Sequence, residues 1–233
     1  MSDFYDLPTL VGDQYMLTSI LRETRDTVLY RAMQKNLRRE VIVERLRLSS
    51  AEHPRRVRLF LDSAKAQSRF RGDYLSSVLE VLEVDGTWMV AKESPKGEPL
   101  DMMLADGNLL SAYDLCYLMI TLCHLCLRLD SEHVASTRFH LEDVYYREGH
   151  FRLSNPALAG TRTQVSSRNF LADAARELLG LLDKKSTMAG VLSQLFRRMS
   201  IHRDPSPVMP ALFLAELTSL RTLALRESGH VSV

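Results

Sequence analysis

The spacing of hydrophobic residues changes character near residue 95. Before that point, short apolar runs indicate strands, whereas after it the apolar residues recur over longer segments typical of helices. One helix is predicted inside the strand-rich half, because Phe60, Leu61, Ala64 and Ala66 follow helical spacing. The pattern therefore predicts an α+β fold with strands crowded into its first part and helices into its second.

Composition allows both parts to bury a core. The chain has 233 residues, of which 45% are hydrophobic, which is enough for one domain of two lobes or for two small domains. Ser94–Pro99 is the natural hinge between them. We place the division there, with residues 1–94 as the first lobe and residues 95–233 as the second.

Leu115–Leu129 is the most apolar stretch of the chain. Asp114, His124 and Arg128 limit its uncharged run to well below the ~20 residues that a membrane span needs, which favours a buried helix. The first ten residues also lack the positive region and apolar core of a secretory signal. We expect a cytoplasmic protein without a membrane span of its own, for which a partner is one route to the cytoplasmic face of a membrane.

Leu21–Ala32 resembles the glycine-rich strand-turn-strand of protein kinases, with every glycine replaced. Arg22, Thr24 and Thr27 stand at the glycine positions, and Glu44 stands where the V-A-I-K motif carries its nucleotide-binding lysine. Threonine resists the close backbone approach that glycine allows around phosphate. A carboxylate at position 44 places like charge beside the phosphates. The two segments predict a loss of ordinary ATP binding.

Later segments follow the kinase order with further replacements. Gly86–Leu104 resembles the fifth strand, the hinge and the G-x-x-L that begins the larger lobe, and Ser63 replaces a glutamate of the preceding helix. The catalytic loop H-R-D-L-x-x-x-N and the D-F-G motif are matched by segments that lack their catalytic residues. The positions concerned are Ser136, Thr137, Arg138, Asp143, Asn155, Pro156 and Ala157. A cation, Arg138, thus replaces the catalytic base, and Asn155 is a weaker metal ligand than a carboxylate.

This resemblance covers about residues 15–185 and points to the bacterial Ser/Thr kinase-like branch of the superfamily. It implies a bilobal fold, with a five-stranded antiparallel sheet and one helix in the small lobe, a helical large lobe, and a shortened activation segment and C-terminus. The function it implies is that of a pseudokinase without metal or cofactor, a catalytically inactive scaffold or allosteric regulator that binds an unidentified protein partner.

Three other interpretations remain open. The first is a nucleotide sensor that binds ATP without metal. The second is an enzyme of altered chemistry on a kinase-like fold, with Asp143 or His140 as its working group. The third is an unrelated α+β interaction domain whose segments follow the kinase order by chance.

Two motifs suggest chemistry that their positions do not favour. His202-Arg203-Asp204 spells H-R-D, but it follows the D-F-G-like segment, and prolines come after it. Cys123 and Cys126 form a C-x-x-C within an apolar helix, where reduced, buried thiols are more typical than a redox pair or a zinc site.

The charge distribution bears on partners. A net charge of +1 gives no global electrostatic case for nucleic acid. The stretch from Arg22 to Arg58 is rich in arginine, which indicates either a solvated surface or a basic face for an acidic partner. Apolar residues of the last helix predict either a homodimer contact or a cap on the lobe; they are Leu212, Leu214, Leu217, Leu220 and Leu223.

Overall fold

The computed structural model describes residues 6–70, 74–107, 110–131, 135–136, 139–154, 158–159, 167–182, 186–201 and 209–227. The chain divides into two compact units, Met1–Pro95 and Lys96–Val233.

The first unit contains an antiparallel sheet and two helices. Its elements are β1 (Thr9–Val11), β2 (Tyr15–Glu23), β3 (Thr27–Gln34), β4 (Arg39–Leu46), α1 (Leu48–Ala51), α2 (Pro54–Ser68), β5 (Val78–Val84) and β6 (Thr87–Glu93). In the described part of this unit, six strands pair in the order β1-β2-β3-β4-β6-β5. That is one strand more than the five predicted, because Thr9–Val11 pairs with the start of β2.

The two ends of this sheet curl toward each other. The Tyr15 hydroxyl on β2 donates to Glu80 Oε2 on β5 at 2.8 Å, and Gln14 Nε2 donates to the same oxygen at 2.6 Å. Burial, followed by the hydrogen bond and negative charge of Glu80, raises the pKa of Tyr15. One face of the curled sheet encloses an apolar core that includes Val28, Val43 and Met89.

The second unit is mainly helical. Its elements are β7 (Glu98–Pro99), α3 (Leu100–Ala105), α4 (Ala112–Ser131), β8 (Ala135–Ser136), a 3₁₀ turn (Leu141–Asp143), β9 (Val144–Arg147), β10 (His150–Leu153), β11 (Leu158–Ala159), α5 (Ser167–Leu179), α6 (Ala189–Ile201) and α7 (Met209–Glu227). Strand β9 pairs with both β10 and β7, and β8 pairs with β11.

Helix α4 forms the centre of the second unit. By length and composition it is apolar enough to cross a membrane, but 67% of its most apolar window is buried inside the protein, as in the core helix of a folded domain. This confirms the buried helix predicted from Leu115–Leu129. Both α5 and α7 pack on α4, and α6 packs on α5.

Helix α7 contacts α4 through an apolar stripe and one cation. Phe213, Leu217 and Ala224 are buried, so the leucine-rich face is in part a cap on the unit, while Leu212 and Leu223 remain exposed. The Arg221 guanidinium lies 4.7 Å from the Tyr113 ring centre and 4.4 Å from that of Tyr117. These contacts orient α7 on α4.

Candidate functional site

The turn between β2 and β3 is closed by its own hydrogen bonds. Thr24 Oγ1 accepts from the backbone N–H groups of Thr27 at 2.9 Å and Asp26 at 3.3 Å, and the Thr24 N–H donates to the Thr27 carbonyl at 2.9 Å. A phosphate-binding turn instead points its amides outward at the anion. The two threonines, which the sequence predicts to stand at glycine positions of the kinase pattern, therefore bond to amides that could otherwise reach a phosphate.

The same turn is fixed to the connection that follows β4. Arg47 Nε donates to the Thr24 carbonyl at 2.9 Å, and its Nη2 forms an ion pair with Glu23 at 3.0 Å. Asp26 accepts from the Ser50 hydroxyl at 2.9 Å and pairs with Arg56 at 2.9 Å. These charged contacts hold the turn in one position against the start of the helical segment.

Arg22 and Glu44 lie on one face of the sheet. The strand register places Arg22 opposite Leu29, Leu29 opposite Glu44, and Glu44 opposite Val90. Directly opposite residues share a face, and two strand spacings separate Arg22 from Glu44 by about 9–10 Å. The structure thus places Arg22 and Glu44, both predicted to stand at kinase motif positions, in a single cross-strand row.

Glu44 is paired with a lysine that the sequence analysis did not identify. Lys92 Nζ on β6 donates to Glu44 Oε2 at 2.7 Å, and the exposed fractions of the two side chains are 3% and 14%. Lys92 is opposite Ile42, so it meets Glu44 diagonally on the same face. A lysine within the apolar strand Thr87–Glu93 was the available signal, because a buried ammonium requires a partner.

Ser63 lies half-buried in the middle of α2. The neighbouring Gln67 is buried, and its Nε2 donates to the Ser76 carbonyl at 2.9 Å. Helix α2 is thus held to the chain that leads into β5 through Gln67.

In the second unit the catalytic-loop resemblance falls partly on described residues. Ser136 lies in β8, opposite Leu158, whereas Thr137, Arg138, Asn155, Pro156 and Ala157 lie outside the described residues, as do His202, Arg203 and Asp204.

Asp143 ends the 3₁₀ turn and is only 5% exposed. The backbone N–H of Ser154 donates to the Asp143 carbonyl at 2.8 Å, which joins the start of β9 to the end of β10. Within the described ranges, no group of three or more His, Cys, Asp and Glu side chains is arranged to hold a metal ion.

Glu177 on α5 lies near His140. Burial raises the pKa of Glu177, and Asp173 adds to this effect, while the neighbouring His140 and a backbone hydrogen bond from Leu141 act in the opposite direction. The Glu177 carboxyl group thus lies within electrostatic range of the 3₁₀ turn and the residue before it.

Gly97, the glycine of the G-x-x-L resemblance, lies too close to the backbone of Tyr146 to carry a side chain. Its φ is +109°, and a Cβ at this position would lie 2.3 Å from the Tyr146 carbonyl oxygen on β9. A side chain is excluded by both the conformation and the space. The glycine is needed for β7 to pair with β9.

A groove of about 610 Å³ lies between α6 and α7 in the second unit. Val191, Leu195 and Leu220 contribute apolar lining, and an Arg198–Glu216 ion pair joins the two helices.

The curled antiparallel sheet of the first unit and the helical second unit define a protein kinase-like fold, α+β and bilobal, as the sequence predicted. The structure is similar to the Mycobacterium tuberculosis PknI kinase domain, with a TM-score of 0.69 and 12% sequence identity over 93% of this chain and 100% of that one. A cysteine-to-alanine mutant of the PknI domain gives a TM-score of 0.68 at 11% identity, covering 93% and 99% of the two chains. No protein-family model and no curated protein matches the sequence. At this identity the similarity shows the fold alone.

Proposed function

We propose that this chain is a catalytically inactive pseudokinase that acts as a protein-binding scaffold or allosteric regulator and binds ATP weakly or not at all. The main support is that the groups at phosphate-handling positions are engaged with one another. The turn amides are bonded to Thr24 and Thr27, and the Glu44 carboxylate is bonded to Lys92.

The Glu44–Lys92 pair also sets the expected magnitude of the loss of affinity for ATP. A phosphate that recruited Lys92 would have to separate a buried pair, and breaking such a pair typically costs about 3–5 kcal/mol. Because about 1.4 kcal/mol is a tenfold change in affinity, the expected penalty is a hundredfold or more. A phosphate left beside Glu44 would instead meet a like charge.

The proposal is tested by thermal unfolding with increasing ATP, with and without magnesium. A ligand that binds only the native state at 100 times its Kd adds about 2.7 kcal/mol of stability, so about 1 mM ATP gives this increase when the Kd is about 10 μM. We expect no Tm shift of this size under either condition, with an active protein kinase run in parallel as the positive control.

The outcomes of this titration separate the alternatives. A shift that does not need magnesium would favour the metal-independent nucleotide sensor over the scaffold. Magnesium-dependent ATP hydrolysis or autophosphorylation that disappears in Asp143→Asn would overturn the proposal and favour an enzyme.

A further inference from the structure

One face of α2, continued by Arg69 at its C-terminal cap, carries an exposed row of charged residues, most of which are cations. Arg55, Arg58, Asp62, Lys65 and Arg69 recur at alternating three- and four-residue spacing, and all five are exposed. At 1.5 Å per residue the row is about 21 Å long. Its four cations and one carboxylate give it a net charge of +3. We call these five residues the α2 basic row.

The charges of the α2 basic row form few ion pairs with other described residues of the protein. In the part of the chain that the structure describes, no ion pair involves Arg55, Lys65 or Arg69. Arg58 pairs with Asp62 at 3.7 Å, but the Arg58 side chain is 84% exposed, so this contact contributes little. The neighbouring Arg56 points elsewhere, toward Asp26 and Ser50.

The opposite face of α2 anchors the helix. Ala64, Ala66 and Gln67 are buried, so the basic row is displayed on a packed element rather than on a loop. Leu59 lies beside the row and is 55% exposed. A fixed row of cations with one central apolar side chain is suited to a partner helix that carries carboxylates at matching spacing and an apolar residue opposite Leu59.

We propose that the α2 basic row is the docking surface for an acidic helical segment of a partner protein; this deepens the scaffold function proposed above and rests on it. Charge complementarity would set the register and speed of association, and Leu59 would supply apolar contact at the centre. Two features argue against a nucleic acid or a membrane. A continuous phosphate backbone or an anionic membrane would place negative charge against Asp62, which a peptide helix avoids by placing its uncharged leucine over Leu59 and Asp62, and the chain as a whole carries a net charge of only +1.

A labelled model peptide tests the surface on the full chain. The probe is a helix-forming peptide of about 15 residues, long enough to span α2, with glutamates at three- and four-residue spacing and one central leucine. Its counterpart has glutamine in place of every glutamate. We expect fluorescence anisotropy to show binding of the glutamate peptide that weakens strongly between about 0.05 and 0.3 M salt, and no binding of the glutamine peptide.

Two double charge-reversal variants test whether the glutamate peptide binds at the α2 basic row. Arg55→Glu/Lys65→Glu should weaken binding by about tenfold or more, since like charges then face each other. Lys35→Glu/Arg31→Glu makes the same net-charge change at two other exposed cations of the same unit and should alter binding by less than about twofold, because neither residue belongs to the row. Circular dichroism melts confirm that both variants fold. A photo-crosslinker in place of Leu59 should attach to the peptide near its leucine.

Several results would overturn the docking surface. These are equal losses in the two variants, binding of the glutamine peptide, no crosslink from position 59, or tighter binding of single-stranded DNA or phosphatidylserine vesicles with the same dependence on Arg55 and Lys65. Absence of peptide binding together with a flat ATP titration removes this surface and leaves the scaffold proposal intact. Magnesium-dependent ATP turnover would instead remove the scaffold proposal, whatever the peptide shows.

Discussion

Lys92 and Glu44 illustrate how two opposite charges are accommodated inside a sheet by pairing with each other. A lysine that is 3% exposed is unfavourable unless its charge is paired, and Glu44 is the carboxylate that pairs with it. In the kinase pattern, position 44 carries the cation. Here the carboxylate is on β4 and the cation on β6, so the sheet contains a salt bridge whose carboxylate is predicted to stand at the position of the nucleotide-binding lysine.

Substitution of either partner should destabilise the protein, and the costs of the two substitutions should not be additive. We expect Glu44→Gln to lower the free energy of unfolding by about 3 kcal/mol, because it removes the carboxylate charge with which the buried Lys92 ammonium is paired. Lys92→Met should cost less, because Glu44 is the more exposed member of the pair. The double variant should cost less than the sum of the two single changes, as measured by urea unfolding in a double-mutant cycle.

The exposed Arg58–Asp62 pair is the matched control for this cycle. Its coupling should be below about 0.5 kcal/mol because solvent screens the charges. Additive costs at Glu44 and Lys92 would show that the 2.7 Å contact does not bind the two charges together in solution.

At the scale of elements, α5 carries a carboxylate whose ionisation opposes folding. The pKa of Glu177 is raised, first by burial, so the folded protein holds its proton more tightly than the unfolded chain does. The protonated Glu177 carboxyl stabilises the fold fully when the pH is below its pKa in the unfolded chain. This stabilisation is lost as the pH rises through the pKa of Glu177 in the folded protein. At neutral pH the ionised Glu177 therefore lowers the stability of the second unit.

Glu177→Gln removes this pH dependence. We expect the variant to melt at a higher temperature than the parent at pH 7, and the difference to shrink toward zero as the pH approaches about 4, where the parent carboxyl is protonated. Thermal melts of both proteins across this pH range provide the measurement. Glu52→Gln, at an exposed position beside α1, is the control and should change the Tm little at any pH. A gain at Glu177 that persists at pH 4 would contradict the assigned cause.

Periodicity and order in the sequence predicted most elements but not the contacts between them. The helical spacing of Phe60, Leu61, Ala64 and Ala66 falls within α2, and the apolar Leu115–Leu129 falls within α4. Strand β1 was missed because three residues are too few to display an alternating pattern.

The contacts of the site were harder to predict because they join distant parts of the sequence. Glu44 was singled out from the kinase pattern, but its partner lies 48 residues further along the chain. The bond from Arg47 to the Thr24 carbonyl likewise spans 23 residues. Such pairs depend on strand register, which local spacing does not specify.

At the scale of the whole molecule, a kinase-like fold persists at 12% identity to the PknI kinase domain. Apolar positions of the sheet core, such as Val28 and Met89, and of α4, such as Leu118 and Leu122, are fully or almost fully buried, and a core of this kind tolerates substitutions that keep volume and pattern. Polar residues at Thr24, Glu44 and Ser63 contribute less to this packing. Their chemistry can change while the architecture remains.

The three cysteines offer a measure of the second unit's integrity, because all of them lie buried on its central helix, α4. Burial raises the pKa of both Cys116 and Cys123 to about 12 and raises that of Cys126 as well. Thiolate, the reactive form, is therefore scarce in the native state, and reagents cannot reach it. Reaction with a thiol reagent requires α4 to separate from α5 and α7, which is unfolding of the unit.

We therefore expect dithionitrobenzoate to label the native protein at least about a thousandfold more slowly than it labels the unfolded chain, given ordinary domain stabilities of 5 kcal/mol or more. The labelling rate should rise with urea with the slope that far-UV circular dichroism gives for unfolding. Ser68→Cys adds one exposed thiol on α2 and should react at once, which verifies the reagent. Rapid labelling of two native thiols, or loss of two thiols under mild oxidation, would instead support an exposed, redox-active Cys123–Cys126 pair and contradict the buried position of α4.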